Sequence, residues 1–559
     1  MEGPNKALTG PHLPGPGAPT PHRAFTARPA GKRACPETRL KKLLTLILSM
    51  AAKGEELAEK IREISVAEFF EKNRHLLGYE NPTRSLLTVV KEAVENSTDA
   101  AEEAGILPEI KVEIQQLAEG RFKVMVEDNG PGIPSSKVPV AFAKFLVGSK
   151  FHRLRQSRGI QGIGIHGAVL YSQLTTGKPA KVLSSLGGND PIHEFELMID
   201  VTKNEPIVLS HRTLPNPKGW HGVRVELEVE GRYVDKITQS VPEYLRQTAI
   251  VNPFATLHFK GPNGASFTYR RRVEELPRQP KEIKPHPHGV ELGLLRRMLS
   301  NTSAKTLLGF LTTEFCRVGR TSALEICSLA SLNPGQHPQK LSGEEVLRLH
   351  KAMQSAKLMG PPTDCLSPLG EQMLLEGLKR EFRAEKYVAV TRPPAVYRGN
   401  PFQIECGIAY GGELKEPVQI LRFANRVPLL YHQGDCAFTQ AIREVDWRRY
   451  GIPQDDFPKA PMVILLHFVS VWVPFTSEGK QALACYPEIM REAKLALQDA
   501  GRELSQYISR KERLREKQLR MGLFERYMPE LAESLSKLTG RPKEEIMAQL
   551  ERRLDEEKG

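Results

Sequence analysis

Three observations predict an α+β chain of several domains. Between Arg84 and about Arg272, helical stretches alternate with β-rich ones such as KVEIQ, FKVMVED, HEFELMID, PIVLSHR and VRVELEVEG, the pattern of an α/β sandwich with helices on one face of a sheet. Residues 280–360 are almost wholly helical, with short turns between ELGLLRRMLSNTSAKTLLGFLTTEF, SALEICSLASLNP and SGEEVLRLHKAMQS. From about 366 strands return, in EKYVAVTRPPAVY, PFQIECGIAYGG, VQILRFANRVPLLY and PMVILLHFVSVWVPF. A long charged helical region then runs from Gly479 to about Arg520, with a final helix pair to Lys558. Heptad regularity there is poor, which argues against a coiled coil. A chain of 559 residues suits about three or four domains.

The N-terminal part reads differently. Residues 1–53 are rich in Pro, Gly, Ala and Arg with no period, and are expected to be a disordered tail or an over-extended start, with Met50 as the natural first residue. An amphipathic helix is expected from Glu55, followed by EFFEKNRHLLGYENP, where Phe69 and Phe70 either join the core or reach a second subunit. The formal net charge of +13 favours an acidic partner such as nucleic acid. Nine Lys/Arg against Glu2 and Glu37 in the first 53 residues account for more than half of that excess, so the remainder is only mildly basic.

The seven cysteines (Cys35, Cys316, Cys327, Cys365, Cys406, Cys436 and Cys485) stand singly, without a C-x-x-C pair. That spacing argues against a zinc site and a disulfide framework, and reduced cysteines suit the cytoplasm. No apolar run reaches the ~18 residues of a membrane helix. The nearest, LLTLILSM (Leu43–Met50) behind Lys41 and Lys42, faintly resembles a signal peptide, but the Pro/Gly-rich lead before it argues against export.

Chemistry concentrates in three motifs. The helix LLTVVKEAVENSTDAA (Leu86–Ala101) carries Glu92, Asn96 and Asp99 at i, i+4 and i+7, a polar stripe on an otherwise apolar helix. VMVEDNGPGIP (Val124–Pro134) is an apolar strand running into Asp128-x-Gly130-x-Gly132. GIQGIGIHGAVLY (Gly159–Tyr171) is a glycine loop opening a helix. The Asn96 amide oxygen is a hard ligand suited to Mg²⁺ bridging the phosphates of ATP, and Glu92, one turn earlier, can orient or deprotonate an attacking water. Asp128 can accept a hydrogen bond from an adenine amino group, while Gly130 and Gly132 let the backbone approach the base. Gly159, Gly162, Gly164 and Gly167 would offer backbone N–H groups to phosphates at a helix start. Each motif alone is common, and polar residues on a helix usually mean solvent exposure. Three in this order, on agreeing strand and helix contexts, form the ATP-site signature of the Bergerat-type nucleotide fold. G-x-x-x-x-G-K-[ST] is absent, which excludes a P-loop enzyme.

From about Phe69 to Arg520 the chain resembles the B subunit of DNA topoisomerase VI, a type IIB enzyme. The resemblance rests on EFFEKNRHLLGY, VVKEAVENSTDA, GIQGIGIHGAVLYSQLTTGKP, YLRQTAIVNPFATL, HPHGVELG, DCLSPLGE, RFANRVPLLY and SVWVPFTSEGKQA. Gyrase, mismatch-repair clamps, heat-shock chaperones and histidine kinases share only the nucleotide motifs; a chaperone or repair clamp is the alternative reading, and a catalytically silent binding module a third. The resemblance implies a GHKL ATPase domain over 54–279, a helix-two-turn-helix module over 280–360, a ribosomal-S5-like transducer over 361–520 and a helical tail over 521–559. It also implies double-stranded DNA as partner, a separate A subunit that cleaves it, self-dimerisation on ATP binding, an A2B2 heterotetramer, and a nucleoid-associated place in the cytoplasm.

By the same resemblance Glu92 matches the general base, Asn96 the magnesium ligand, Asp99 a further nucleotide-site acid and Asp128 the adenine-reading acid. Ser149 and Lys150 fall where the family contacts nucleotide near the lid. Arg158, Gly159, Ile160, Gln161, Gly162, Ile163, Gly164, Ile165, His166 and Gly167 match the phosphate lid, and Lys480, at the expected start of the last long helix, matches the transducer's switch lysine.

Three departures stand out. His166 replaces a small polar residue and either touches phosphate or faces solvent. Val223 replaces a threonine that helps order water around adenine. WRRYG (Trp447–Gly451) carries arginine for the lysine of a Trp-Lys-x-Tyr motif, and serves DNA contact or packing. The run Arg270–Arg272 meets DNA phosphate or is a solvated linker, and QDDF (454–457) reads as a solvated turn rather than a cleavage site.

Overall fold

Alternating burial along VRVELEVEG and KVEIQ produces strands with one face packed and the other wet. The computed structural model describes residues 66–148, 153–159, 162–476 and 480–558, which lie within one compact unit. The expectations for residues 1–53 and for a helix beginning at Glu55 fall outside the described residues.

The first layer pair comprises α1 (Val66–Lys72), α2 (Arg74–Leu77), α3 (Pro82–Glu103), β1 (Glu109–Ala118), β2 (Arg121–Asp128), α4 (Val138–Ala143), α5 (Gly164–Thr176), β3 (Ala180–Leu186), β4 (Ile192–Asp200), β5 (Glu205–Leu214), β6 (His221–Glu230), α6 (Val241–Ile250), β7 (Thr256–Lys260) and β8 (Ser266–Tyr269). Its eight strands run in the order β5-β4-β3-β6-β2-β1-β7-β8, antiparallel except for β1 beside β7. Helix α3 starts where Asn81 caps it, its side chain accepting from the Arg84 N–H at 2.9 Å, with Pro82 at the first position. The helix buries Leu86, Leu87, Val89, Val90 and Val94 against the sheet and against α5. Phe70 is 1% exposed and belongs to this core, whereas its neighbour Phe69 is 49% exposed.

A helical module follows: α7 (Leu292–Asn301), α8 (Leu307–Glu314), α9 (Arg320–Ala330) and α10 (Gly343–Ser355) enclose Leu295, Phe310, Ile326, Leu349 and Met353. A capping box starts α10, with Ser342 and Glu345 satisfying each other's backbone N–H groups.

The second sheet is built from β9 (Lys386–Thr391), β10 (Ala395–Tyr397), β11 (Asn400–Tyr410), β12 (Gln419–Ala424), β13 (Val427–Pro428) and β14 (Met462–Ser470). Its path is β10-β11-β14-β12-β13, with β9 also on β11. All nine residues of β14 are buried, which requires cover on both faces. On one face lie α12 (Ala437–Glu444) and the first turns of α13 (Pro487–Thr539); on the other lies α11 (Gly370–Glu381), which also meets the end of α6. Gly377 permits that meeting, since a Cβ there would stand 2.0 Å from the Ile250 carbonyl oxygen. The two sheets are thereby joined through packed apolar surface.

Two expectations need correction. The expected helix to about Arg520 and final helix pair are instead one helix, α13, continuous for 53 residues, followed by α14 (Lys543–Lys558). The 510–525 stretch is rich in strong helix formers, and Gly522 alone is too weak a breaker to stop the helix there. Lys480 does not begin a helix; it lies in the segment between β14 and α13, beside the Phe475–Leu483 bridge. Asp455 and Asp456 of QDDF pair with Lys459 and Arg443 at the surface. Arg271 turns inward to Thr256 and Glu109, which breaks up the arginine run. No described helix is long and apolar enough to cross a membrane.

Trp447 resolves toward packing: it is fully buried, its indole N–H donates to the Ile442 carbonyl at 2.9 Å, and Tyr450 rests on Gly501 of α13. Arg448 and Arg449 face outward. Trp447→Ala should therefore destabilise the second-sheet domain by about 3–5 kcal/mol, lowering its calorimetric transition.

Candidate active site

Strand β2 delivers Asp128 to a buried position beside α3. Its Oδ2 accepts from Ser97 Oγ at 2.7 Å, and its Oδ1 accepts from the N–H groups of Gly130 at 2.9 Å and Val223 at 3.1 Å. Burial pushes its pKa up, and these three donors work against that. Val223 thus reaches the acid through its backbone, a contact that a side-chain comparison does not show. Gly132, at φ 72°, seats the turn on β3, where a Cβ would lie 2.0 Å from the Ser185 carbonyl oxygen.

A cavity of about 590 Å³ opens between this turn, α3, the start of α5 and the Lys480 segment. That volume suits a small-molecule ligand. Glu92, Asn96, Asp128, Gly132, Gly159, Gly162, Ile163, Gly164, Ile165, His166, Gly167 and Lys480 all line it. Asn96 is the one exposed residue between Ala93 and Asp99, and it opens into the cavity. Gly164, the first residue of α5, lies so close to Glu92 that a Cβ would fall 1.8 Å from Oε2. Burial pushes the Glu92 pKa up, Lys480 and Lys91 pull it down, and the net shift is upward. The donor set fits a nucleoside triphosphate with Mg²⁺: an amide oxygen, a carboxylate, a glycine-rich helix start, and a cation.

Lys480 enters from the far domain and donates to Glu95 Oε2 at 2.9 Å. Burial opposes its charge, but Glu95 and Glu92 more than compensate, and its pKa lies above that of an ordinary lysine.

Four expected site residues, Ser149, Lys150, Ile160 and Gln161, lie outside the described residues. Asp99 and Arg158 depart from expectation, for neither lines the cavity. Arg158 donates to Asp99 at 2.7 Å, to Glu102 at 2.5 Å and to the Asn252 amide oxygen at 2.6 Å. Asp99 lies about 10 Å along the helix axis from Glu92 and meets the buried guanidinium of Arg158, while Ala100 and Glu103 beyond it still line the cavity. Gly130 serves by donating to Asp128 rather than by lining the space. His166 faces neither solvent nor the cavity with its nitrogens. It is 3% exposed against Phe145, and although the carbonyls of Gly162, Ala141 and Val140 lie near, neither ring nitrogen meets one at hydrogen-bonding geometry. Burial pushes its pKa down to about 4, so the ring is neutral.

Sequence reasoning missed Ser97, Glu95 and Glu102. Their only signal was position on the same helix as Glu92 and Asn96.

Residues 81–192 match the family model described as "Histidine kinase-, DNA gyrase B-, and HSP90-like ATPase", and residues 361–520 match "Topoisomerase VI B subunit, transducer". Among curated proteins, the B subunit of type 2 DNA topoisomerase 6 from Archaeoglobus fulgidus is 50% identical over 463 residues, covering 82% of this chain and 76% of that protein. The protein of the same name from Methanococcoides burtonii is 47% identical, covering 86% and 78% of the two chains. That from Thermococcus onnurineus is 42% identical, covering 89% and 95%.

The chain belongs to the topoisomerase VI B-subunit family. It is the ATPase subunit of a type IIB DNA topoisomerase, an ATP-binding GHKL enzyme joined to a transducer. A chaperone or mismatch-repair clamp is set aside, because the transducer match covers residues that those proteins do not share. In this ATPase subunit the contact between Gly164 and Glu92 is tight enough to test. Gly164→Ala should retain the wild-type melting temperature but lower ATP turnover at least about tenfold, because the methyl group displaces the base.

Proposed function

We propose that ATP binding closes two copies of this subunit into a gate around a DNA duplex, and that hydrolysis reopens it. The observation that supports this most is the meeting of Lys480, from beyond the second sheet, with Glu92 and Asn96 at one cavity. A triphosphate would be held by both domains at once and a diphosphate by one, so the nucleotide's state would set the angle between them.

Each side chain has a role in this reading. Asn96 would hold Mg²⁺, which when bound neutralises phosphate charge. Asp128 would accept from the adenine amino group, its orientation fixed by Ser97, Gly130 and Val223. The N–H groups at the start of α5 would bind phosphate oxygens. Glu92 would take the proton of the attacking water, and its raised pKa brings it closer to the working range of a general base. Lys480 would bind the γ-phosphate.

Helix α13 would carry the motion outward. It extends beyond the second sheet with Leu514, Leu519, Leu523 and Leu538 exposed, a surface suited to a partner protein. That partner is proposed to be the A subunit, which cuts one duplex so that another passes, in an A2B2 assembly on the nucleoid.

Supercoiled-plasmid relaxation with the A subunit, with and without ATP, tests the whole reading; relaxation that ignores ATP would overturn it. Glu92→Ala should bind ATP normally yet hydrolyse it at least about a hundredfold more slowly, accumulating closed dimers in sedimentation. The wild-type pH–rate profile should lose activity on the acid side at a pH above the ordinary glutamate value, because a base with a raised pKa is protonated earlier on descent.

A further inference from the structure

Lys480 reaches the cavity already partnered. Its acceptor, Glu95, lies on α3 and is 4% exposed, and it does not itself line the cavity. The second carboxylate oxygen of Glu95, Oε1, has no hydrogen-bond donor, but Lys91 Nζ stands 3.8 Å away. Glu92 faces the group from the same helix, and Tyr244 approaches from α6 with its hydroxyl 3.4 Å from the Lys91 carbonyl oxygen. Two lysines and two glutamates thus face one another at the cavity's edge, with Arg84 and Asp99 within electrostatic reach. Lys480 also holds φ at 53°, a backbone region that residues other than glycine rarely adopt, and the ion pair helps keep it there.

An ammonium held by an enclosed carboxylate is not available to another anion unless that anion replaces the carboxylate. A terminal phosphate, with more charge and three acceptor oxygens, is able to do so. A diphosphate ends one group short of it. Departure of Lys480 would leave Glu95 as a buried, unmatched carboxylate, which is strongly disfavoured. Lys91 is placed to prevent that: a shift of about 1 Å brings its ammonium into hydrogen-bonding distance of Oε1.

Resting on the reading of Lys480 given above, we propose that Glu95 is a positioning residue that holds Lys480 in reserve, that Lys91 takes over Glu95 when Lys480 is drawn to a γ-phosphate, and that this exchange sets the ratio of ATP to ADP affinity. Glu95 is therefore a discriminating residue that never touches the nucleotide.

The test is calorimetric titration of the full-length protein with a non-hydrolysable ATP analogue and with ADP, both with Mg²⁺. Glu95→Gln should raise the ratio of analogue to ADP affinity about tenfold, equal to about 1.4 kcal/mol. Lys91→Met should lower the ratio, and Lys91→Arg should restore it. An unchanged ratio in both Glu95→Gln and Lys91→Met overturns the exchange. Lys480→Ala separates the two readings. If it leaves the wild-type ratio intact, the role of Lys480 itself fails; if it abolishes the preference while Glu95→Gln changes nothing, only the exchange fails. Where Glu95→Gln does not fold, Lys91→Met carries the test, a lowered ratio supporting the proposal and an unchanged one overturning it.

Discussion

One face of α3 carries the coupling between the two sheet domains. Glu95 and Glu102 lie seven residues apart, hence on the same side of the helix, and each binds a cation from the far domain: Glu95 holds Lys480 at 2.9 Å and Glu102 holds Arg426 at 2.6 Å. The helix that presents Glu92 and Asn96 to the cavity is thus the one the transducer grips. The cavity-lining Glu92 and Asn96 and both cation contacts share about three turns of one helix.

The two grips differ in kind. Arg426 is held at both ends of its guanidinium fork and at its backbone: besides Glu102 it donates to Ser367, and its backbone N–H donates to His467 Nε2 at 2.9 Å, while its Nε finds no acceptor. That acceptance requires the His467 proton on Nδ1, which donates to Glu405 at 2.8 Å. Burial opposes charge on Glu405, yet His467 and the N–H groups of Leu369 and Gly370 at the start of α11 hold its pKa below the ordinary carboxylate range. Arg158 on the lid side shares Glu102 with Arg426, so the base of the glycine loop belongs to the same network. Buried ion pairs of this type add little net stability, but removing one partner is severe, and they hold one geometry against alternatives. Around Arg426 the domains are pinned by several bonds; around Lys480 they are held by one ion pair, to a glutamate that Lys91 also flanks.

This difference explains what could be read in the sequence. The alternation of strands and helices, the helical module and the second sheet follow from local periodicity, and all appear where expected. Glu92, Asn96, Asp128 and the lid glycines come to one cavity because each motif sits at the end of a regular element, and element ends are set by local signals. The pairing of Asp99 with Arg158 is not legible in the sequence, because a polar side chain on a helix reads alike whether it awaits a ligand or an arginine 59 residues away. The burial of the His166 ring is illegible for a related reason, since it depends on Phe145 and on the way α4 packs, neither of which its own neighbours reveal. Val223 was assessed by its side chain, whereas its contribution is an N–H at a fixed register on β6, opposite Ser184.

The arrangement also bears on why the helix beyond Lys480 is so long. A change of domain angle at the cavity is a small displacement, and a rigid lever converts it to a larger one in proportion to its length. The first turns of α13 are buried against the second sheet through Ile489, Ala493, Ala496, Leu497, Ala500 and Leu504, so the helix moves with that sheet and with Lys480. Past Ile508 its residues are mostly exposed, although Met528 and Ala532 are buried where α14 folds back alongside. A helix of 53 residues spans about 80 Å, far beyond the sheet that anchors it. Isolated helix of that kind gains little from tertiary packing, so its persistence rests on propensity and on i, i+4 pairs such as Glu516 with Arg520 and Glu533 with Lys537. In the proposed cycle this helix is the lever, the Arg426 contact its pivot, and the Lys480 contact the one that opens and closes.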